Sequence, residues 1–258
     1  MNEAAAPPRV VVTRPAAQAA DWVRRLRDVG IDAVALPLIE IAPAADAAAV
    51  EAAWAGLATR RLVFFVSPNA VLHFFAARPP GSSWPTGVVA AAPGPGSAEA
   101  LRRAGVPVDC VVEPVADSPS FDSEAVWLRL RESDWRGASA LIVRGDGGRE
   151  WLADRLSEAG AVVDAVSAYR RVAPAFSGTD RGLLDKIVAS ADSLWLFSSS
   201  EAIGHLEAAA GAGRWSQARA IASHPRIAAR ARAAGFGRVA EPAPGFAALV
   251  ACIQSMGP

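Results

Sequence analysis

Val11-Val12-Thr13-Arg14-Pro15 and Leu141-Ile142-Val143-Arg144-Gly145 lie about 130 residues apart and open the same local pattern. Each β-branched run leads through a short turn into an amphipathic stretch. The first stretch closes on Arg25-Leu26-Arg27-Asp28-Val29-Gly30, the second on Arg155-Leu156-Ser157-Glu158-Ala159-Gly160. A short β-branched run followed by apolar residues at helical spacing is the signature of a strand feeding a helix. The echo continues downstream. Phe65-Val66-Ser67-Pro68-Asn69-Ala70 is answered by Phe197-Ser198-Ser199-Ser200-Glu201-Ala202, and the stretch from Gly94 to Gly105 by that from His224 to Gly235. So long a period excludes a solenoid, whose repeats run roughly 20–50 residues. It predicts two similar lobes, with a cleft between them as the natural place for a ligand.

Strand candidates cover residues 10–13, 33–36, 62–66, 88–92, 108–112, 140–143, 162–166, 193–197 and 218–222, with helices after most of them. This is the rhythm of βα units on parallel sheets. Ala19, Trp22, Val23 and Leu26 share one helical face, as do Trp151, Leu152 and Leu156, and both stripes read as core. Two proline-bounded extended segments interrupt the rhythm, at residues 37–43 and 168–174. Equivalent segments after equivalent units could pair as a two-stranded antiparallel ladder between the lobes. Lobe 1 would then hold residues 1–36 and 175–258, and lobe 2 residues 44–167. Tandem halves are the competing topology, and spacing does not choose between them.

The 258-residue chain carries 26 basic and 26 acidic residues and is 52% hydrophobic, so it suits a globular protein with one or two cores. A balanced charge argues against a nucleic-acid partner, which requires a basic excess. The first eight residues resemble no signal peptide, and no apolar run reaches membrane-spanning length. Cys110 and Cys252 suggest neither a disulfide framework nor a zinc site, so a cytoplasmic location is expected. Lys186 is the only lysine; the arginine skew as a whole reads as codon bias, and only arginines in loops invite a functional reading.

Six loops are expected at the carboxyl ends of parallel strands, where α/β sheets bind ligands. They hold Arg14; Ser67 and Asn69; Gly94, Gly96 and Ser97; Arg144, Gly145, Asp146, Gly147, Gly148 and Arg149; Ser198, Ser199 and Ser200; and His224 with Arg226. Helix N-termini expose unpaired N–H groups that attract anions. Singly, each loop is explained by ordinary helix capping; together they point to a large polyanionic ligand. The stretch from Arg144 to Arg149 matches neither a Walker loop nor a dinucleotide fingerprint, and its bland reading is an Asp-Gly turn with surface arginines. No His, Cys or carboxylate cluster has metal-ligand spacing, and no nucleophile elbow accompanies the serines. Of the histidines, His73 and His205 fall in helical stretches, and His224 reads as a cap or surface residue as readily as a proton carrier. Tyr169 is the sole tyrosine. At the junction of strand and connector it would hang its phenol over the cleft as a general acid, or seal a strand end with its hydroxyl in water.

The ordered set Val12-Thr13-Arg14-Pro15, Leu36-Pro37-Leu38-Ile39, Phe65-Val66-Ser67-Pro68-Asn69-Ala70-Val71, Gly94-Pro95-Gly96-Ser97-Ala98 and Asp122-Ser123-Glu124 resembles the uroporphyrinogen-III synthase family. The likeness continues through the Arg144–Arg149 loop, Tyr169-Arg170-Arg171, Phe197-Ser198-Ser199-Ser200 and His224-Pro225-Arg226-Ile227-Ala228, spanning about residues 9–253. It implies two α/β lobes joined by a β-ladder and favours the chain-crossing topology. The implied reaction converts hydroxymethylbilane, a linear tetrapyrrole rich in carboxylates, to uroporphyrinogen III. Water is lost and the last pyrrole ring is inverted, through an azafulvene and a proposed spiro intermediate, with no metal or organic cofactor. Tyr169 aligns with the family tyrosine thought to assist departure of the hydroxyl. Ser97 stands where relatives often carry threonine, and Ser198 or Ser199 holds a comparable place in the other lobe. Pro93 and Val66 depart from the valine and threonine common there. The resemblance implies no nucleic-acid or membrane partner and a monomer, with transient contact to the preceding pathway enzyme left open. The alternative reading is a non-catalytic bilobal binding or sensor protein for a polyanionic metabolite.

Overall fold

A computed structural model describes residues 9–118, 120–147, 150–190 and 193–256. The chain opens with strand β1 (Val10–Val12), helix α1 (Ala16–Asp28) and β2 (Ala33–Ala35). The middle runs β3 (Glu40–Pro43), α2 (Ala47–Ala55), β4 (Leu62–Phe65), α3 (Pro68–Ala76), β5 (Val89–Ala91), α4 (Pro95–Arg103) and β6 (Val111–Val112). It continues with α5 (Ser123–Leu130), β7 (Ser139–Gly145), α6 (Trp151–Glu158) and β8 (Val162–Val172). The last part holds α7 (Gly178–Ala189), β9 (Leu194–Phe197), α8 (Ser200–Ala210), β10 (Arg219–Ala222), α9 (Pro225–Ala233), β11 (Arg238–Ala240) and α10 (Phe246–Ser255). These elements form two compact units. One takes the chain up to Glu40 and from Val172 onward; the other is Ile41–Arg171.

The sequence repeat is legible in the sheet orders. The first unit's sheet is ordered β11-β10-β9-β1-β2, and the second's β3-β8-β7-β4-β5-β6. Matching β1 to β7, β2 to β8, β9 to β4, β10 to β5 and β11 to β6 makes the two orders the same, with β3 added at one edge. Every matched neighbour pair is parallel. Helix ends repeat as well. After α1, Gly30 takes φ +79° and the Ile31 N–H bonds back to the Leu26 carbonyl; after α6, Gly160 takes φ +95° and Ala161 bonds to Leu156. Left-handed backbone at that position is what glycine supplies without steric cost.

Both faces of the second unit's sheet are covered, which explains why β4 is apolar without interruption. Val63 and Phe65 of β4 pack with Leu141 and Val143 of β7 beneath α2, α3 and α4. Leu62, Phe64, Ala140 and Ile142 face the opposite way, against α5 and α6. The first unit builds a comparable core from Val10, Val12, Leu194, Leu196 and Ile221 with Leu26, Leu249 and Ile253. Each such side chain contributes about 1.5–3 kcal/mol on full burial.

Two expectations need correcting, and one strand was not foreseen. The strand predicted over residues 108–112 is a 3-10 turn at Val108–Cys110, closed by the Cys110 N–H on the Pro107 carbonyl, and only Val111–Val112 pair with β5. Strand β11, three half-exposed residues, escaped the periodicity altogether. Strand β8 runs unbroken to Val172, so Tyr169 lies within it rather than at a junction, and the residue is 1% exposed. Neither a phenol hanging free nor one sealed with its hydroxyl in water describes it.

Candidate functional site

The position of Tyr169 follows from a bulge. Strands β7 and β8 pair in regular register from Ser139↔Val162 to Arg144↔Ser167, after which Gly145 faces Tyr169 and Ala168 is skipped. Val166, Ala168 and Tyr169 are all buried as a result, although strict alternation would turn Tyr169 to the other face. Its ring then crosses the end of β7 at Gly145. A Cβ on Gly145 would lie 2.8 Å from the Tyr169 Cζ, so the crossing requires glycine. Beyond it the phenol oxygen sits 3.2 Å from Ser67 Oγ, at the end of β4. Ser67 is the N-cap of α3, and its Oγ accepts the Ala70 N–H at 3.2 Å. Ser67, Gly145 and Tyr169 therefore meet at the carboxyl ends of three neighbouring parallel strands.

Arg144 and Gly145, expected in a loop, close β7, and the turn after them is tied to β8 at two points through Asp146. The Asp146 N–H donates to the Tyr169 carbonyl at 3.1 Å, and the Asp146 carboxylate accepts the Arg171 N–H at 3.0 Å. Arg144, Asp146 and Arg171, with Tyr169, line a pocket of about 350 Å3. Asp122 and Ser123 bring the N-terminus of α5 to the same wall, and Val66, Pro93 and Phe121 supply its apolar side. Phe121 is half exposed and packs over Gly94, where a Cβ would meet its own Cβ at 2.9 Å. Arg144 pairs with Glu150 at 3.2 Å, a carboxylate 65% exposed. An ion pair that open contributes about 0–1 kcal/mol, so a ligand carboxylate can replace Glu150 at little cost.

His73 of α3 stacks on the Tyr169 ring, with centroids 5.8 Å apart and planes at 28°. Burial pushes its pKa below the ordinary histidine value, favouring the neutral ring. Sequence reasoning placed His73 in a helix but could not pair it with Tyr169, because the two are brought together only by β8's bulge. Phe121, Ser123 and Arg171 likewise had no role that the sequence pattern could assign. Of the other expected residues in this unit, Asn69 is half-buried in the first turn of α3, Gly96 lies in α4, and Ser97 is 4% exposed inside the α4 first turn. Gly148 and Arg149 lie outside the described residues.

The first unit presents a matching rim. Thr13 donates its hydroxyl to the Leu196 carbonyl at 2.7 Å, binding the ends of β1 and β9 together. Arg14 follows, its guanidinium 4.7 Å above the Trp22 ring, with Nη1 3.5 Å from Gln18 Oε1 and Nε without a hydrogen-bond partner among the described residues. Burial lowers its pKa from the usual arginine value, yet a guanidinium keeps its charge at neutral pH. Ser199 caps α8 through the Glu201 N–H at 3.2 Å, flanked by half-buried Ser198 and Ser200. His224 caps α9, its Nδ1 accepting the Arg226 N–H at 3.1 Å, and both residues are exposed.

Comparison with known proteins gives one family. The family model for uroporphyrinogen-III synthase HemD matches residues 20–251. The uroporphyrinogen-III synthase of Salmonella typhimurium is 31% identical over 199 residues, 72% of this chain and 76% of the relative. Among solved structures, uroporphyrinogen-III synthetase from Helicobacter pylori superposes with a TM-score of 0.61 at 16% identity, over 96% of this chain and 99% of the other. A mutant uroporphyrinogen III synthase from the extreme thermophile Thermus thermophilus gives 0.57 at 17% identity, over 96% of each chain. The chain belongs to the uroporphyrinogen-III synthase family.

Proposed function

From membership of that family, we propose that the chain is a cyclising hydro-lyase of tetrapyrrole biosynthesis that converts hydroxymethylbilane to uroporphyrinogen III. Tyr169 protonates the departing hydroxyl in this reading. The observation that carries it is the phenol's position, held by Ser67 at the wall of a pocket that also contains Arg144 and Arg171. At about 350 Å3 the pocket is near the low end of ligand sites, which run ~300–1,000 Å3. It suits the hydroxymethyl end of the substrate rather than the whole chain. Arg144, Arg171 and the α5 N-terminus would take carboxylates of that ring, and Phe121 would lie along its face.

The remaining carboxylates fall to the other strand-end loops. Arg14, Ser198–Ser200, His224 and Arg226 in the first unit, and Asn69, Gly94, Gly96 and Asp146–Arg149 in the second, are assigned to binding. Arg14 is the best prepared of these, since stacking on Trp22 fixes a guanidinium whose Nε has no hydrogen-bond partner among the described residues. Positioning and charge stabilisation supply most of the catalysis, because the hydroxyl leaves readily and the difficulty is which carbon attacks. A monomer working in the cytoplasm is part of the same reading, and both cysteines are free. Among the described residues, no helix is long and apolar enough to cross a membrane. An intermediate that cyclises unaided to the wrong isomer favours brief contact with the enzyme that supplies it.

Freshly prepared hydroxymethylbilane separates the outcomes. Type III product in excess over the spontaneous type I isomer is expected. Type I alone, with tight binding of the substrate, would turn the reading to a binding protein.

A further inference from the structure

The Ser67 hydroxyl has one proton and two lone pairs. One lone pair is taken by the Ala70 N–H, and the other side-chain bond of Ser67 runs to the Tyr169 oxygen. Either hydroxyl can donate in this bond while Tyr169 keeps its proton; once that proton has left, Ser67 alone can donate, so the bond then runs from Ser67 to the phenolate. With Ser67 donating, its bonds are complete, and the phenol proton is left to point into the pocket that Tyr169 lines.

We propose that Ser67 is a positioning residue whose hydroxyl donates to the Tyr169 oxygen, aims the phenol proton at the substrate and holds the phenolate that proton transfer leaves. This rests on the reaction proposed above and deepens it. The proton passes from Tyr169 to the substrate hydroxyl oxygen, the carbon–oxygen bond breaks with its electron pair, and water departs. The cation left on the pyrrole faces a phenolate stabilised by the Ser67 O–H, itself polarised by the N-terminus of the nine-residue α3. When the macrocycle closes, the proton lost from the attacked ring carbon returns to the phenolate. No other reactant is needed. Ser67 would thus act through Tyr169, in place of touching a carboxylate itself.

The test compares Ser67→Ala, Ser67→Thr, Tyr169→Phe and the double variant Ser67→Ala/Tyr169→Phe, using the full chain and freshly prepared hydroxymethylbilane. Ser67→Ala should lower kcat on the order of 10–100-fold, the loss of one hydrogen bond to developing charge, with KM within about twofold. Ser67→Thr, which keeps the hydroxyl, should recover most of kcat. In the Tyr169→Phe background, Ser67→Ala should change kcat by less than about twofold. The same loss in both backgrounds overturns the proposal, as does a raised KM at unchanged kcat, which would make Ser67 a substrate contact. Ser67→Gly guards against misfolding, since glycine is tolerated as an N-cap but carries no hydroxyl. It should match Ser67→Ala in kcat. Wild-type protein that makes no type III product sinks the reaction itself, a result distinct from failure of the Ser67 assignment.

Discussion

Replacing Gly145 with alanine should displace the proposed acid without touching it chemically. The new Cβ would lie 2.8 Å from Tyr169 Cζ, 2.9 Å from Cε2 and 3.2 Å from the phenol oxygen. Carbon atoms in contact sit about 3.5–4.0 Å apart, so the ring must retreat by roughly 1 Å. The Ser67–Tyr169 bond, at 3.2 Å, is already longer than the usual hydroxyl pair of about 2.5–3.0 Å and would not survive that shift. Overpacking of this kind costs about 1–3 kcal/mol, and each kcal/mol lowers Tm by about 2–4 °C in a protein of this size. Catalysis should suffer more than stability, because a misplacement of about 1 Å can cost on the order of 100-fold in rate. Gly81→Ala is the control. Gly81 takes φ +77° with nothing within 4 Å of where a Cβ would stand, so its variant strains the backbone but leaves Tyr169 in place. Turnover of type III product and thermal melting, measured on both variants, separate the two effects. Wild-type turnover in Gly145→Ala would refute the argument that Tyr169 must cross β7 at this point to act.

Tyr169→Phe removes one hydroxyl from a well-filled core, so it should lose about 1 kcal/mol or less of stability while kcat falls on the order of 100-fold or more; urea midpoints and single-turnover rates check the pair. Arg14→Gln should raise KM on the order of 10-fold with kcat little changed, as one charge-assisted bond is lost, and an unaltered KM across salt concentrations would remove Arg14 from the binding set. His73 gives a stability effect with a definite sign. Its folded pKa is depressed, so the unfolded chain takes up the proton first, and the stability due to the neutral ring is full above histidine's ordinary range of about 6.5 and declines as pH falls below it. His73→Phe keeps an aromatic ring against Tyr169 and should flatten that decline when urea midpoints at about pH 7.5 and about pH 5.5 are compared.

Much of the fold could be read from the chain because local signals agreed with one another. The paired units around Arg14 and Arg144, the prolines and serines at helix starts, and glycines such as Gly30 and Gly160 each state a strand, a cap or a helix end in a few residues. Family likeness then supplied what these signals could not, including a role for Tyr169. Its surroundings were hidden for a specific reason. Strand periodicity assigns faces by counting, and the skipped Ala168 shifts the count by one just before Tyr169. The partners of the ring, Gly145, Ser67 and His73, lie 24, 102 and 96 positions away by subtraction of residue numbers, and no local pattern connects them to it. Strand β11 was missed for a simpler cause, since three residues including Arg238 carry too little alternation to register.

The two copies of the repeat also show how one frame can bear two roles. Arg14 and Arg144 occupy the same place, each two residues beyond the matched strand pairs Val12↔Ala35 and Ile142↔Ala165. The next residue differs. In the first copy β1 has already ended at Val12 and Pro15 caps α1 at Ala16, whereas Gly145 continues β7 and leaves space above the sheet. On the neighbouring segment, Leu38 is fully buried where the second copy brings in Tyr169, and its N–H bonds to the Thr13 carbonyl. A leucine needs no opening and offers no proton; a tyrosine needs the glycine and, through it, reaches the Ser67 cap. The first copy has the corresponding cap in Ser199, which bonds its own helix at Glu201 and has no phenol to orient. Proline against glycine and leucine against tyrosine are therefore coupled differences. Transplanting either alone would leave a clash or a void, so the proton-donating geometry belongs to the pair rather than to the tyrosine by itself.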